Sequence, residues 1–224
     1  MYIGRIMRTN LITISPDTSL VDARNLLEEK KIDHLLVVDR NQKLVGIVAN
    51  RDIKQYWASP ATSLSTHELN YLLQKVTASM VMIKTVVTVP TSTTIERAAF
   101  IMQQHRIGSL PVMEGDKLAG IITSTDVMSV LLKAIGISDD SLRLGLFVVD
   151  SLGQLAQVSA TLRDAGVNIL SLFCWPEEDY PGITQLLIRV GSADGTKAVD
   201  ALTAKGFKVK TQYEKDITPY LPTT

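Results

Sequence analysis

The sequence predicts a mixed α/β (α+β) chain in two parts: a tandem β-α-β-β-α repeat, then a four-stranded sheet crossed by two helices. Three observations predict it. Residues in the first third recur about 75 positions later. The one-residue deletion in the repeat falls at a turn. Past Gly136 the pattern changes and no longer matches the repeat.

The recurrence is ordered. Met7 maps to Met82, Thr13 to Thr88, Thr18 to Thr93, Ala23 to Ala98, Ile32 to Ile107, Leu35 to Leu110 and Val37 to Val112. The offset then becomes 74: Lys43 maps to Lys117, Leu44 to Leu118, Gly46 to Gly120, Ile47 to Ile121 and Asp52 to Asp126. The deletion sets Arg40-Asn41-Gln42 against Gly115-Asp116, both of which read as turns.

Each repeat opens with a short extended piece, Ile12-Thr13-Ile14 or Val87-Thr88-Val89, then a turn rich in Pro, Ser and Thr. A helix follows, capped by Ser19 with Asp22, or by Thr93 with Glu96. Its apolar face is Leu20, Ala23 and Leu27, matched by Ile95, Ala98 and Met102. Next comes a hairpin, 35–38 with 44–48 and 110–113 with 118–122, and a second helix starts just past it. One unit buries too little to stand alone, so two packed together are the expected stable object. Between them, 59–76 begins loosely and becomes a helix, with Ser65 and Glu68 as a capping box and Leu69, Leu72, Leu73 and Val76 as its stripe. The expected boundaries are 1–60, a connecting helix at 61–76, and 77–136.

From 140 to 216 the order reads β-α-β-β-α-β, a ferredoxin-like sandwich. The strands are 144–149, 167–173, 184–190 and 207–213. The first helix carries Leu155, Val158 and Leu162 on one side and ends at Gly166. Trp175 to Gly182 reads as an acidic loop, and a second helix over 196–205 ends at Gly206.

Charge narrows the function. Twenty-three Lys+Arg balance 23 Asp+Glu, and neither part is strongly basic, which argues against a nucleic-acid surface. The strand Thr184–Val190 has no aromatic residue, unlike an RNA recognition motif. The single cysteine, Cys174, offers no internal disulfide, and no Cys/His cluster suggests a metal. No apolar run approaches a membrane span. A soluble cytoplasmic protein without metal or required cofactor is expected.

The hairpin's second strand ends in Gly120-Ile121-Ile122-Thr123-Ser124-Thr125-Asp126; the first repeat has Gly46-Ile47-Val48-Ala49-Asn50-Arg51-Asp52. A carboxylate there can accept from both hydroxyls of a vicinal diol. A helix N-terminus with a Thr hydroxyl suits a phosphate, and Gly120 permits a close backbone approach. The same Thr-x-x-Asp spacing also fits a capping box, and both roles are compatible. Ala49 in place of Thr makes the two sites unequal and ranks Thr123/Asp126 above Asp52. Arg51, Arg106 and Lys84 are phosphate candidates, with solvated surface charge the simpler reading. His34, His67 and His105 are scattered and read as surface or helix-end residues.

These motifs resemble a pair of CBS (cystathionine-β-synthase) motifs, together a Bateman module. The resemblance implies two clefts that take an adenosine nucleotide such as AMP, ADP or ATP. It assigns Asp126 and Asp52 to the ribose and Thr123 to the phosphate side. Gly120, Ser124 and Ala49 belong to the same motif, and the strands at Thr13 and Thr88 flank the base.

Downstream, Asp150-Ser151-Leu152-Gly153-Gln154-Leu155-Ala156, with Ala165-Gly166-Val167-Asn168-Ile169, resembles the ACT domain, a regulatory module that often binds amino acids. It implies an effector pocket or subunit interface near Gly153, Leu152, Asn168 and Ile169. Leu152 departs from the proline usual in that family, and a purely dimerising role is equally compatible. Cys174 and Trp175 read as packing residues. The order of modules is similar to that of CBS–ACT proteins of the acetoin utilisation (AcuB) type. That implies a regulatory protein, a homodimer or larger, without catalysis, acting on an unknown regulated protein; a constitutive adaptor with vestigial clefts is the alternative.

Overall fold

The computed structural model describes residues 1–56 and 66–222. Ser59 to Ser65, including the expected Ser65 cap, lie outside the described residues, as do the side chains of His67 and Leu69. The chain divides into two compact units, Met1–Met128 and Ser129–Thr224.

In the first unit, repeat one runs β1 (Thr13–Ile14), α1 (Leu20–Lys30), β2 (His34–Val38), β3 (Leu44–Ala49) and α2 (Asn50–Tyr56). Two helices follow, α3 (Thr66–Lys75) and α4 (Ala78–Val81). Repeat two runs β4 (Val89–Pro90), α5 (Ile95–His105), β5 (Ser109–Glu114), β6 (Lys117–Thr123) and α6 (Ser124–Ala134), a helix that begins in the first unit and continues past its end at Met128. The two three-stranded sheets are built alike. β1 is parallel to β2, with Ile14 opposite Val37, and β4 is parallel to β5, with Val89 opposite Val112. Both hairpins are antiparallel and carry an irregularity at the same place, Val37/Val38 and Val112/Met113.

The helices form for the reasons their sequences give. Ser19 caps α1 by accepting from the Asp22 N–H, and Leu20, Ala23 and Leu27 are buried. Ile95, Ala98 and Met102 are buried on α5, but its cap is Thr94, which accepts from the Arg97 N–H. This corrects the expected Thr93 cap by one residue. The Thr93 backbone is committed elsewhere: its N–H donates to Pro90 and its carbonyl accepts from Ile3. Both helices end on a left-handed non-glycine residue, Lys31 (φ 52°) and Arg106 (φ 53°). Leu73 of α3 is buried, and Val76 packs against the core of repeat one. Leu72 of the expected stripe is exposed.

The lead-in of each repeat docks on the other repeat. Ile3 N–H donates to the Thr93 carbonyl and Gly4 N–H to that of Thr91. Ala78 donates to Thr18 and Ser79 to Pro16 in the same way. Arg8 then exchanges two backbone bonds with Ile121 of β6, as Ile83 does with Ile47 of β3. Only after these contacts does each chain segment cross back to form β1 or β4. The crossing stretches, 8–12 and 83–87, border the clefts described below.

The second unit contains β7 (Ser141–Val149), α7 (Gln154–Asp164), β8 (Ile169–Pro176), β9 (Ile183–Gly191), α8 (Gly195–Ala204) and β10 (Val209–Lys210). Its four-stranded sheet has the order β10-β7-β9-β8 with every pair antiparallel. Leu144, Leu146 and Val148 of β7 and Leu186, Ile188 and Val190 of β9 alternate onto one face. Val158 and Leu162 of α7 and Ala198 and Leu202 of α8 pack there with them. Both helices therefore lie on the same side. Gly166 (φ 64°) ends α7 as expected, with Val167 N–H donating to the Leu162 carbonyl. Three expectations are corrected. Leu155 is exposed rather than in the core. Trp175 belongs to β8 rather than to the loop, and it and Cys174 are exposed rather than packed. The last strand is only Val209–Lys210, paired with Leu146 and Gly145, rather than 207–213.

Candidate functional site

At the start of α6, Thr123 and Asp126 form a reciprocal cap. Asp126 Oδ2 accepts from Thr123 N–H at 2.9 Å and from Thr123 Oγ1 at 2.6 Å. Thr123 Oγ1 in turn accepts from Asp126 N–H at 3.3 Å. Asp126 Oδ1 accepts from Arg8 Nε at 3.2 Å and Nη2 at 3.0 Å. Burial of the Asp126 carboxyl raises its pKa, but the Thr123 and Arg8 hydrogen bonds outweigh burial and hold it below the ordinary carboxylate value. The capping reading of this motif is thus realised in full.

The equivalent group in repeat one is half of that arrangement. Asp52 Oδ2 accepts from Ala49 N–H at 2.8 Å, and Ala49 returns nothing because it has no hydroxyl. Arg51 Nε lies 3.7 Å from Asp52 Oδ1. The first helical N–H groups are already used at both sites: Ser124 donates to Gly108 and Asn50 to Asp33.

The two cavities here differ in size. The larger, about 700 Å³, is lined by the crossing stretch Arg8 to Ile12, by Lys30 to His34, and by Thr123, Ser124 and Thr125. The smaller, about 60 Å³, is lined by Ala49, Arg51 and Asp52 and by the other crossing stretch, including Ile83 and Val87. His34 and Gly108 border both, so the two cavities share a wall. Burial lowers the pKa of the His34 imidazole, the Arg51 charge lowers it further, and Asp33 and Asp52 oppose. A volume near 700 Å³ suits a nucleotide-sized ligand; 60 Å³ does not.

The residues expected at the site divide accordingly. Thr123 and Ser124 line the larger cavity; Asp126 stands behind it, bonded to the lining residue Arg8. Asp52 and Ala49 line the smaller one. Thr13 and Thr88 line neither; their neighbours Ile12 and Val87 do. Gly120 approaches the chain itself rather than the cavity. A methyl group there would meet Met7 Sδ at 2.5 Å and the Arg8 carbonyl oxygen at 3.0 Å. Gly46 accommodates Met82 in the same manner. Arg8, Lys30 and Lys31 were not singled out from the sequence. The signal for Arg8 was available, since it follows Met7, the first member of the repeat series.

In the second unit, Gly153 has φ 90°, Leu152 is fully exposed, Asn168 is exposed and Ile169 packs on the core. The 590 Å³ cavity of that unit is lined by other residues, among them Phe147, Gln185, Lys210 and Tyr213. Among the described residues no cluster of His, Cys, Asp and Glu suits a metal ion, and no helix is long and apolar enough to cross a membrane.

A family model described as the CBS domain matches residues 3–59 and 78–133, just over half of the chain. The chain belongs to the CBS domain family. Among curated relatives, the inosine-5′-monophosphate dehydrogenase of Halalkalibacterium halodurans is 28% identical over 218 residues, 90% of this chain and 42% of that enzyme. The corresponding enzyme of Nitrosopumilus maritimus is 37% identical over 125 residues, 55% of this chain and 23% of that enzyme. The chain spans less than half the length of these relatives. Among solved structures, a protein assigned to acetoin utilization (AcuB) from Vibrio cholerae is 31% identical with a TM-score of 0.50, covering 59% of this chain and 91% of that one.

Proposed function

We propose that this CBS-domain chain is a cytoplasmic regulatory protein that binds an adenosine nucleotide in the larger cleft and catalyses nothing itself. The observation that carries this reading is the 700 Å³ cavity with Thr123, Ser124 and Arg8 on its wall, Arg8 being bonded to Asp126. Asp126 is the ribose acceptor, and the Thr123 hydroxyl faces the phosphate side. The smaller cleft at Asp52 and Ala49 stays empty or takes a fragment. The second unit acts as an ACT-like domain, its helix-free sheet face and β8 edge serving self-association into a homodimer, and its Gly153 turn serving an amino-acid effector. The likeness to the Vibrio protein favours control of acetoin use, through a partner protein yet to be captured.

One observation favours a second reading, a constitutive adaptor. Both oxygens of Asp126 already have partners within the chain.

Thermal unfolding across AMP, ADP, ATP, S-adenosylmethionine and NAD separates the two. A ligand at a hundredfold excess over its Kd adds about 2.7 kcal/mol of stability. A shift with an adenosine ligand, lost in Asp126→Ala, supports the sensor. Silence across the panel from a folded protein favours the adaptor.

A further inference from the structure

We infer that Arg8 sets the ligand class of the larger cleft, making it select nucleosides that carry an anionic group over neutral ones. The inference rests on the nucleotide reading of that cleft and deepens it.

An ionised carboxylate offers about four acceptor positions. Asp126 has all of them engaged: Oδ1 by Arg8 Nε and Nη2, Oδ2 by Thr123 N–H and Oγ1. A vicinal diol that uses Asp126 therefore has to replace two existing bonds. The Thr123 bonds form the helix cap, and vacating them would open the first turn of α6. The Arg8 bonds join two side chains, and the Arg8 side chain is 55% exposed. The diol thus enters by displacing Arg8.

A displaced guanidinium needs a new partner. Arg8 lines the cavity together with Lys30 and Lys31. A ligand phosphate offers a pair of charged oxygens that the planar guanidinium fork can meet with two parallel hydrogen bonds. A neutral nucleoside breaks the Arg8–Asp126 pair and returns nothing. The contrast with the other cleft supports this role. There the place of Arg8 is taken by Ile83, and Asp52 has instead Arg51 of its own helix, whose Nε at 3.7 Å forms an ion pair but lies beyond hydrogen-bond length.

The test is calorimetric titration of the full chain with AMP and with adenosine, in the wild type, Arg8→Ala and Arg8→Lys, at about 0.15 M salt. The wild type should prefer AMP by about tenfold or more, the scale of one charge-assisted hydrogen-bond pair. In Arg8→Ala, AMP should weaken by about tenfold. Adenosine should hold or tighten by up to about fivefold, the value of one exposed ion pair. Arg8→Lys should fall between, since it keeps the charge without the fork. Binding of both ligands with an unchanged AMP-to-adenosine ratio in both variants overturns the inference and leaves the nucleotide site standing. A wild type that binds neither ligand overturns the site reading and the inference with it.

Discussion

Met7 lies in the space that Gly120 leaves open, so close that a methyl group on Gly120 would come within 2.5 Å of the Met7 sulfur. The glycine of the Gly-x-x-Thr-x-x-Asp motif is thus a seat for the neighbouring segment. Gly120→Ala should destabilise the chain by about 1 to 3 kcal/mol, the usual cost of overpacking. The Arg8 carbonyl, 3.0 Å from the same point, is backbone and cannot yield as a thioether can. Met7→Ala in the Gly120→Ala background should recover part of that loss but not all. Urea unfolding of the two single variants and the double variant reads the coupling.

The helix caps give a sharper check, because the sequence and the structure disagree by one position. Thr94 accepts from the Arg97 N–H. Thr94→Ala should cost about 1 kcal/mol. Thr93→Ala should cost clearly less, since only its backbone is engaged in the α5 entry. Equal losses at the two positions would count against the assignment.

Asp126 should leave a mark on acid stability. Its carboxyl titrates below the ordinary value of 3.8 because Thr123 and Arg8 outweigh burial. The stabilisation from the charged form is then fully present above the unfolded value and is lost as pH falls through the lowered, folded one. Asp126→Asn should flatten the dependence of the urea midpoint on pH below about 4, where an unperturbed aspartate titrates. An unchanged acid limb would remove Asp126 as its source.

Gly153 tests the second unit. Its φ is 90°, and apart from its own chain neighbours no heavy atom lies within 4 Å of where a Cβ would stand. Space is therefore no obstacle, and backbone conformation is. Gly153→Val should cost about 1 to 2 kcal/mol through that strain. Circular dichroism melts should show it, and size-exclusion mass should report whether self-association depends on the turn.

Much of the fold was legible because hydrophobic period and repetition report burial directly. Leu20, Ala23 and Leu27, and their counterparts Ile95, Ala98 and Met102, are all buried as their spacing requires. The hairpin and helix order followed from the same logic. The exchange of lead-ins was not legible. It is held largely by backbone bonds, such as Ile3 to Thr93 and Ala78 to Thr18, which leave no side-chain signature. The Met7–Gly120 and Met82–Gly46 pairs are a side-chain trace of it, but a glycine alone does not name what approaches it. The Thr93/Thr94 slip has a related cause, since adjacent hydroxyl residues satisfy one capping pattern equally well. The repeat series marks the neighbourhood of Arg8 through Met7, but not its partner, which is 118 positions away.

The exchanged lead-ins make each repeat incomplete without the other. Ile3 fills the second repeat's side and Ala78 the first's, at equivalent positions with equivalent bonds. A single repeat expressed alone carries both a free lead-in and a vacant acceptor for one. Two copies would satisfy each other, so an isolated half is set up to form a domain-swapped pair. The tandem chain is the covalent, single-polypeptide version of that pair. In that covalent pair the two halves need not be identical, and here Arg8 bonds Asp126 in one cleft while Ile83 holds the matching place in the other, where Asp52 has Arg51 at 3.7 Å.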